Sequence, residues 1–328
     1  MLASNMDRAV LKEKFIKKQN LKLTKIENFP QDASFRSYSR LHLDDNKTLV
    51  IMDAPPKFED VRPFVYVSSI LNNMGLSAPK VLDKDEENGF LLLEDFGDES
   101  FRKFLIKNPI EEEKLYFQAV DVLVEIYRSS ITYNLEEYNY DKFLKEALVF
   151  AEYGLENFAN NKQHLKSLQD EYKEIITDIF NLLPKSAKKI LVHRDYHVDN
   201  LHYLPERNGI KAVGLIDFQD AVLGSPTYDL MSLIEDARRD VNPEIANKAI
   251  SRFIKSINVD KDEFMYEYNI WAMQRNLKIV GVFNRKNLRD NNPNYLQFLP
   301  RVWGYLKNNL SQSHLAQMKN FFAKYPSK

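Results

Sequence analysis

Strand-like segments crowd into the first 95 residues of this chain and return only twice afterwards, at 189–192 and 211–218, within long stretches of helical periodicity. Segregation of that kind is the mark of an α+β chain, with a small antiparallel sheet first and a mainly helical body after it. The β-type segments are LKLTKI, FRSYSRLHL and TLVIMDA, broken by turn residues at QDAS and DDNK, with two more around Lys80–Asp83 and Gly89–Leu93 that flank KDEEN. One helix interrupts them, because Glu59 to Asn72 follows the stop at Pro55-Pro56 and places Val61, Phe64, Val65, Val67, Ile70 and Leu71 at helical spacing. The acidic step Glu94-Asp95-Phe96-Gly97-Asp98 reads as the lobe boundary, giving an N-terminal lobe at 1–95 and a helical lobe at 96–328.

With 328 residues the chain exceeds the usual reach of a single hydrophobic core, which agrees with two lobes. Its 46 basic and 47 acidic residues balance to a net charge of −1, so no global field is available to hold nucleic acid or an anionic membrane. There is no cysteine, hence no disulfide framework, thiolate nucleophile or cysteine-based zinc site. The opening residues MLASNMDRAVLKEKFIKKQN carry charges where a signal peptide needs an apolar core, and they read as a short amphipathic helix. Apolar runs such as those at 91–93 and 213–216 have the length of buried strands, well short of a membrane span. A cytoplasmic protein with no membrane, nucleic-acid or obligate protein partner is expected.

The chemistry is concentrated in LVHRDYHVDNL and KAVGLIDFQD. Asp195 and Asn200 lie in a loop directly after an apolar strand, and Asp217 ends a β-type run seventeen residues later, so a strand–turn–strand hairpin would bring Asn200 and Asp217 to one point. A lone Asp or Asn at a strand end is ordinarily a cap or a turn former. Together these three residue types match what phosphoryl transfer requires: a carboxylate to orient and deprotonate the attacking hydroxyl, and oxygen ligands to hold Mg²⁺ on a triphosphate. Asp195 is then the base, with Asn200 and Asp217 as the metal ligands, and His193 braces the loop. A zinc site on His193, His197 and His202 with Asp195 and Asp199 is the chemical rival, but the set lacks the helical spacing of a zinc protease.

These residues resemble the aminoglycoside phosphotransferase and choline kinase superfamily, whose catalytic loop reads His-x-Asp-x-x-x-x-Asn and whose metal strand reads Ile-Asp-Phe or Ile-Asp-Trp. More narrowly, DASFRSYSR, VIMDAPPKFEDVRPFV, GFLLLEDFGD, VHRDYHVDNL, LIDFQDAVLGSPTYDL and QRNLKIVGVF are similar to the bacterial anomeric kinases of N-acetylmuramate and N-acetylglucosamine, over residues 32 to about 305. The resemblance implies a protein-kinase-like two-lobed fold and an ATP- and Mg²⁺-dependent enzyme that phosphorylates the anomeric hydroxyl of an amino sugar in cell-wall recycling. It implies adenine against the backbone of Glu94 to Phe96, and an internal fixing role for Asp229.

Against the broad kinase pattern, Gln31-Asp32-Ala33-Ser34-Phe35-Arg36 carries no glycine where backbone approaches phosphate, and TLVIMDAPP offers Met52 and Asp53 where a third-strand lysine is expected. Ser34, the amide of Phe35 and Arg36 are the nucleotide candidates, with Arg36 preferred to Lys57 because a guanidinium binds phosphate in a bidentate way. The acceptor site belongs to the helical lobe, where Glu235, Arg238 and Arg239 follow the metal strand on one helix and Gln274, Arg275 and Lys278 share a later helix. Glu235, Arg238, Arg275 and Lys278 are its candidates, and a lactyl carboxylate favours an arginine or lysine among them, Arg275 first. Trp271, Phe283 and Trp303 are read as core rather than sugar platforms. The competing functions are a kinase of another hydroxyl acceptor, such as an aminoglycoside, choline or homoserine, and a nucleotide-binding pseudokinase, for which the missing lysine argues. The intact set of Asp195, Asn200 and Asp217 argues against the latter.

Overall fold

The computed structural model describes residues 2–30, 35–185 and 188–325, the side chains of residues 2–7 excepted. In chain order the elements are α1 (Leu2–Lys18), β1 (Leu23–Asn28), β2 (Ser37–Leu43), β3 (Thr48–Asp53), α2 (Arg62–Asn73), β4 (Val81–Asp85), β5 (Phe90–Glu94), α3 (Phe101–Lys107), α4 (Glu112–Arg128), α5 (Tyr140–Tyr153) and α6 (Lys162–Asn181). Four short strands follow: β6 (Ile190–Val192), β7 (Leu201–Tyr203), β8 (Val213–Leu215) and β9 (Val222–Gly224). The chain closes with α7 (Thr227–Ile234), α8 (Pro243–Ile257), α9 (Lys261–Leu288), α10 (Leu299–Asn309) and α11 (Ala316–Lys324). It forms two compact units, one of residues 1–107 and 199–220, the other of 108–198 and 221–328.

The first unit is built on an antiparallel sheet of order β1-β2-β3-β5-β4. Alternation on β2, β3 and β5 sends Leu41, Ile51, Phe90 and Leu92 to one face, where Phe15 and Ile16 of α1 cover them. The hairpin expected around Asn200 and Asp217 is present as β7 paired with β8, register Leu201 to Leu215. Its strand is shorter than the run 211–218 suggests, because residues 209–212 wind into a 3₁₀ turn before β8. A parallel bridge from Ser77 to Gly214 and an antiparallel one from Ser100 to His202 fasten this hairpin to the N-terminal part of the unit. Gly214 has a steric reason: a Cβ there would come within 2.7 Å of the Phe96 ring.

The second unit is helical apart from β6 and β9, which pair with each other. Asn139, Asn161, Asn242 and Asp260 cap α5, α6, α8 and α9 by accepting first-turn amides. The 28-residue helix α9 is its central beam, buried along most of its length, and packs Trp271 edge-on against Phe143 of α5. Close approach is permitted by Gly281, where a Cβ would lie 2.6 Å from the backbone of Val149. Trp271 and Phe283 are 4% exposed, so both serve the core as expected. Among the described residues no helix is long and apolar enough to cross a membrane.

Candidate active site

In the second unit, β6 delivers the chain into the loop His193–Val198, and this loop is fastened along its length. The buried carboxylate of Asp229 on α7 accepts the backbone N–H of His193 at 2.6 Å and of Arg194 at 2.9 Å. Asp236, just beyond α7, accepts the N–H of Val198 at 3.2 Å, and the Tyr196 hydroxyl donates to Ala119 of α4 at 2.8 Å. Between these anchors Asp195 occupies the middle of the loop, its carbonyl accepting the N–H of His197 at 3.1 Å. Arg194 takes a left-handed backbone, φ 76°, which a non-glycine residue adopts at a cost that such anchoring must offset. Burial raises the pKa of Asp229 to about 6. It also drives that of His197 well below its usual value, with Arg238 and Arg275 pushing the same way, so this imidazole stays neutral.

Next to Asp195, Arg194 donates to Glu146 of α5, and the other oxygen of Glu146 accepts from Lys278 of α9 at 2.8 Å and from the Tyr138 hydroxyl. Burial works to raise the pKa of Glu146, but Lys278 and Arg194 overcome it and bring it down to about 2. Two cations thus share one carboxylate, leaving this cluster with net positive charge beside the loop. Glu146 escapes a linear reading because it sits on an otherwise amphipathic helix. Its one signal is position, since Phe143, Ala147 and Phe150 put it on the buried stripe.

The remaining acceptor candidates all lie in the second unit, but Glu235, Arg238 and Arg239 do not share a helix, because α7 ends at Ile234 and Glu235 is already its C-cap. Arg275 is 4% exposed and its Nη1 is shut away from solvent without a hydrogen-bond partner among the described residues. Arg238 donates its backbone N–H to Asp236 at 2.8 Å, with its guanidinium 3.8 Å from the same carboxylate. Glu235 is buried, and its oxygens accept from Asn276 at 2.6 Å and Asn309 at 3.2 Å, which brackets the end of α7 against α9 and α10.

In the first unit, Asn200 precedes β7 and Asp217 follows β8, and the hairpin brings the Asn200 amide to 3.4 Å from the Asp217 carboxylate. The N–H of Ile216 donates to the carbonyl of Asn200 at 3.1 Å, which closes the hairpin at that end. Asp217 has a left-handed backbone, φ 62°, and accepts the Gln219 side-chain amide at 2.9 Å. The amide meets that carboxylate through its Nδ2, and with its oxygen turned in instead the two side chains make a hard oxygen donor pair, suited to Mg²⁺ that draws its other ligands from water and phosphate. Among the described residues no group of three or more His, Cys, Asp or Glu side chains could hold a metal, which leaves the zinc alternative without a cage.

Of the nucleotide candidates, Ser34 lies outside the described residues. Phe35 is exposed and stacks on Phe58 with ring centroids 4.4 Å apart, while Arg36 lies 3.7 Å from Glu59 and 4.0 Å from Asp217. Glu94 ends β5 and receives Arg207 at 2.5 Å, and that guanidinium lies 5.1 Å from the Phe96 ring. Arg40 of β2 forks onto Asp95 and Asp98, at 2.5 and 2.9 Å, which fixes the segment after β5 to the sheet.

The chain matches the family described as "Phosphotransferase enzyme family" over residues 25–256. It is 32% identical over 359 residues to the N-acetylmuramate/N-acetylglucosamine kinase of Caulobacter vibrioides, covering 97% of each chain. It is 34% identical to the Pseudomonas aeruginosa enzyme of the same name, over 90% of this chain and 87% of that one. Among solved structures it resembles a choline kinase from Streptococcus pneumoniae, with a TM-score of 0.62 at 14% identity over 90% of this chain and 99% of that one. It also resembles an ADP-bound aminoglycoside phosphotransferase, with a TM-score of 0.56 at 16% identity, over 90% of this chain and 97% of that one. At such identities these two likenesses speak for the protein-kinase-like fold.

Proposed function

Since this chain belongs to the phosphotransferase enzyme family and is a small-molecule kinase, we propose that it phosphorylates the anomeric hydroxyl of an amino sugar, N-acetylmuramate or N-acetylglucosamine, from ATP. The observation that carries the reading is the near-complete collinearity with kinases named for those two sugars, 97% of both chains at 32% identity. The nucleotide belongs to the β-rich lobe at 1–95, and the base and acceptor ligands to the helical lobe at 96–328. The product, a sugar 1-phosphate made in the cytoplasm, suits the recycling of cell-wall sugar.

Asp195 orients the acceptor hydroxyl and takes its proton as the acceptor oxygen bonds to the γ-phosphorus of ATP and the bond to the β–γ bridging oxygen breaks, with ADP as the leaving group. Its loop is pinned by Asp229, Asp236 and Tyr196, so the base need not be ordered during reaction. Asn200 and Asp217 would hold Mg²⁺, which supplies charge neutralisation on the phosphates. Phe35 and Arg36, with Ser34, take the phosphate side, and the backbone from Glu94 to Phe96 takes the adenine. Arg238, Arg275 and Lys278 put positive charge on the acceptor side, suited to a lactyl carboxylate, and Glu235 holds α9, which carries Arg275 and Lys278.

The test is ATP consumption with Mg²⁺ over a panel of free amino sugars, with the product identified as the 1-phosphate, and Asp195→Asn as control. Turnover with either sugar is expected, and the substitution should lower kcat by about 10²–10⁴ while ATP binding is kept. ATP binding without turnover on any acceptor would favour a pseudokinase. Turnover that survives Asp195→Asn would remove the base assignment.

A further inference from the structure

The third strand of this kinase offers no cation to the phosphates. Met52 is 1% exposed, and Asp53 is committed to Arg8 of α1 at 2.8 Å. Kinases commonly meet this need with a third-strand lysine that a helix glutamate holds in place. We infer that Glu59 positions Arg36 as the phosphate-contacting cation, so that an arginine ahead of β2 and a glutamate ahead of α2 do the work of that lysine and its partner. The inference rests on the kinase reading above and adds Glu59 and Tyr38 to it.

Arg36, Tyr38, Glu59 and Asp217 all belong to the first unit. The Arg36 Nε lies 3.7 Å from Glu59 and its Nη2 lies 4.0 Å from Asp217, with the side chain 15% exposed. Those separations give Coulomb attraction but exceed hydrogen-bond length. The Nε is closed to solvent and has no hydrogen-bond partner among the described residues, an arrangement that folded chains avoid unless a donor is reserved for something else. Tyr38, two residues along and already within β2, bonds to Arg36, and burial raises its phenol to about 12. It therefore steers the guanidinium without adding charge.

Charge gives the arrangement its logic. One guanidinium between two carboxylates leaves a local charge of −1, which repels a free phosphate. A divalent ion at Asp217 reverses the sign, and Glu59 then keeps Arg36 beside the phosphates rather than releasing it toward the metal ligand. The rival cation Lys57 is engaged elsewhere, over the Phe58 ring at 5.3 Å.

The experiment measures the Kd of ATP by calorimetry with and without Mg²⁺, beside the KM of the acceptor, for the full chain and for Arg36→Ala, Arg36→Lys, Glu59→Gln and Lys57→Ala. Arg36→Ala should weaken Mg²⁺-dependent ATP binding by about tenfold to a hundredfold, with the acceptor KM within about twofold, and Arg36→Lys should restore part of it. Glu59→Gln should weaken ATP binding several-fold and raise the Mg²⁺ concentration needed for half-maximal binding, because Arg36 is then free to pair with Asp217. Lys57→Ala should bind as the parent does. Unchanged ATP affinity in Arg36→Ala, or a Glu59→Gln variant that affects ATP and acceptor equally, overturns the inference and leaves the kinase reading standing. Failure of the unsubstituted chain to bind Mg·ATP defeats both.

Discussion

Asp229 accepts the backbone N–H of His193 at 2.6 Å from a carboxylate that is 4% exposed. Burial raises its pKa from 3.8 to about 6, so the folded chain binds this proton more tightly than the unfolded chain does. Its contribution to stability therefore falls as pH rises from about 4 to about 6, and is level above that. Asp229→Asn removes that slope and leaves one loop amide facing an amide, costing about 1–3 kcal/mol. Urea midpoints between pH 4 and 7 check both statements, and an unaltered slope in the variant would assign the titration to another group.

Glu146 behaves in the opposite sense. With a pKa lowered to about 2 from 4.5, its contribution is complete above about 4.5 and is lost as pH falls toward 2. Glu146→Gln leaves Arg194 and Lys278 together without their shared carboxylate. A loss of about 3–5 kcal/mol is expected, partly recovered by adding Lys278→Met. Chemical denaturation of the two variants decides it, and a double substitution no more stable than the single would show that the cations do not repel.

Gln219 donates to Asp217 at 2.9 Å, from outside the pair proposed above to hold the metal. Outer partners of this kind set the direction of the ligand they touch. Gln219→Leu should raise the Mg²⁺ concentration for half-maximal activity by about 10–100-fold while the affinity for metal-free ATP stays as it was. A titration of Mg²⁺ at saturating ATP reads this directly.

Arg275 has a donor shut away from solvent and, among the described residues, unpaired. If that donor meets the acceptor's carboxylate, Arg275→Met should raise the KM for N-acetylmuramate by about tenfold or more, and change that for N-acetylglucosamine little. Equal effects on the two sugars would place Arg275 in packing alone.

What the sequence disclosed, and what it hid, follows from distance along the chain. The hairpin joining Asn200 and Asp217 was legible because seventeen residues, apolar at both ends, can close only a short loop. The helical lobe was legible from periodicity. Beta pairing between Ile190–Val192 and Val222–Gly224 was not, since three-residue strands carry no alternation to read. Glu146 meets Arg194 and Lys278 across 48 and 132 residues, and Arg36 meets Asp217 across most of the β-rich unit. Such ion pairs leave no trace in spacing, because a charged side chain on an amphipathic helix is ordinarily solvated.

The return of residues 199–220 to the first unit means that the chain passes between the two units three times, after residues 107, 198 and 220. A single genetic crossover therefore cannot exchange the first unit of this kinase for that of a relative. A hybrid joined at residue 107 would inherit Ser77 and Phe96 from one parent and the Gly214 they pack against from the other. Lineages that recombine within this fold must either keep that hairpin compatible or move it in a second event.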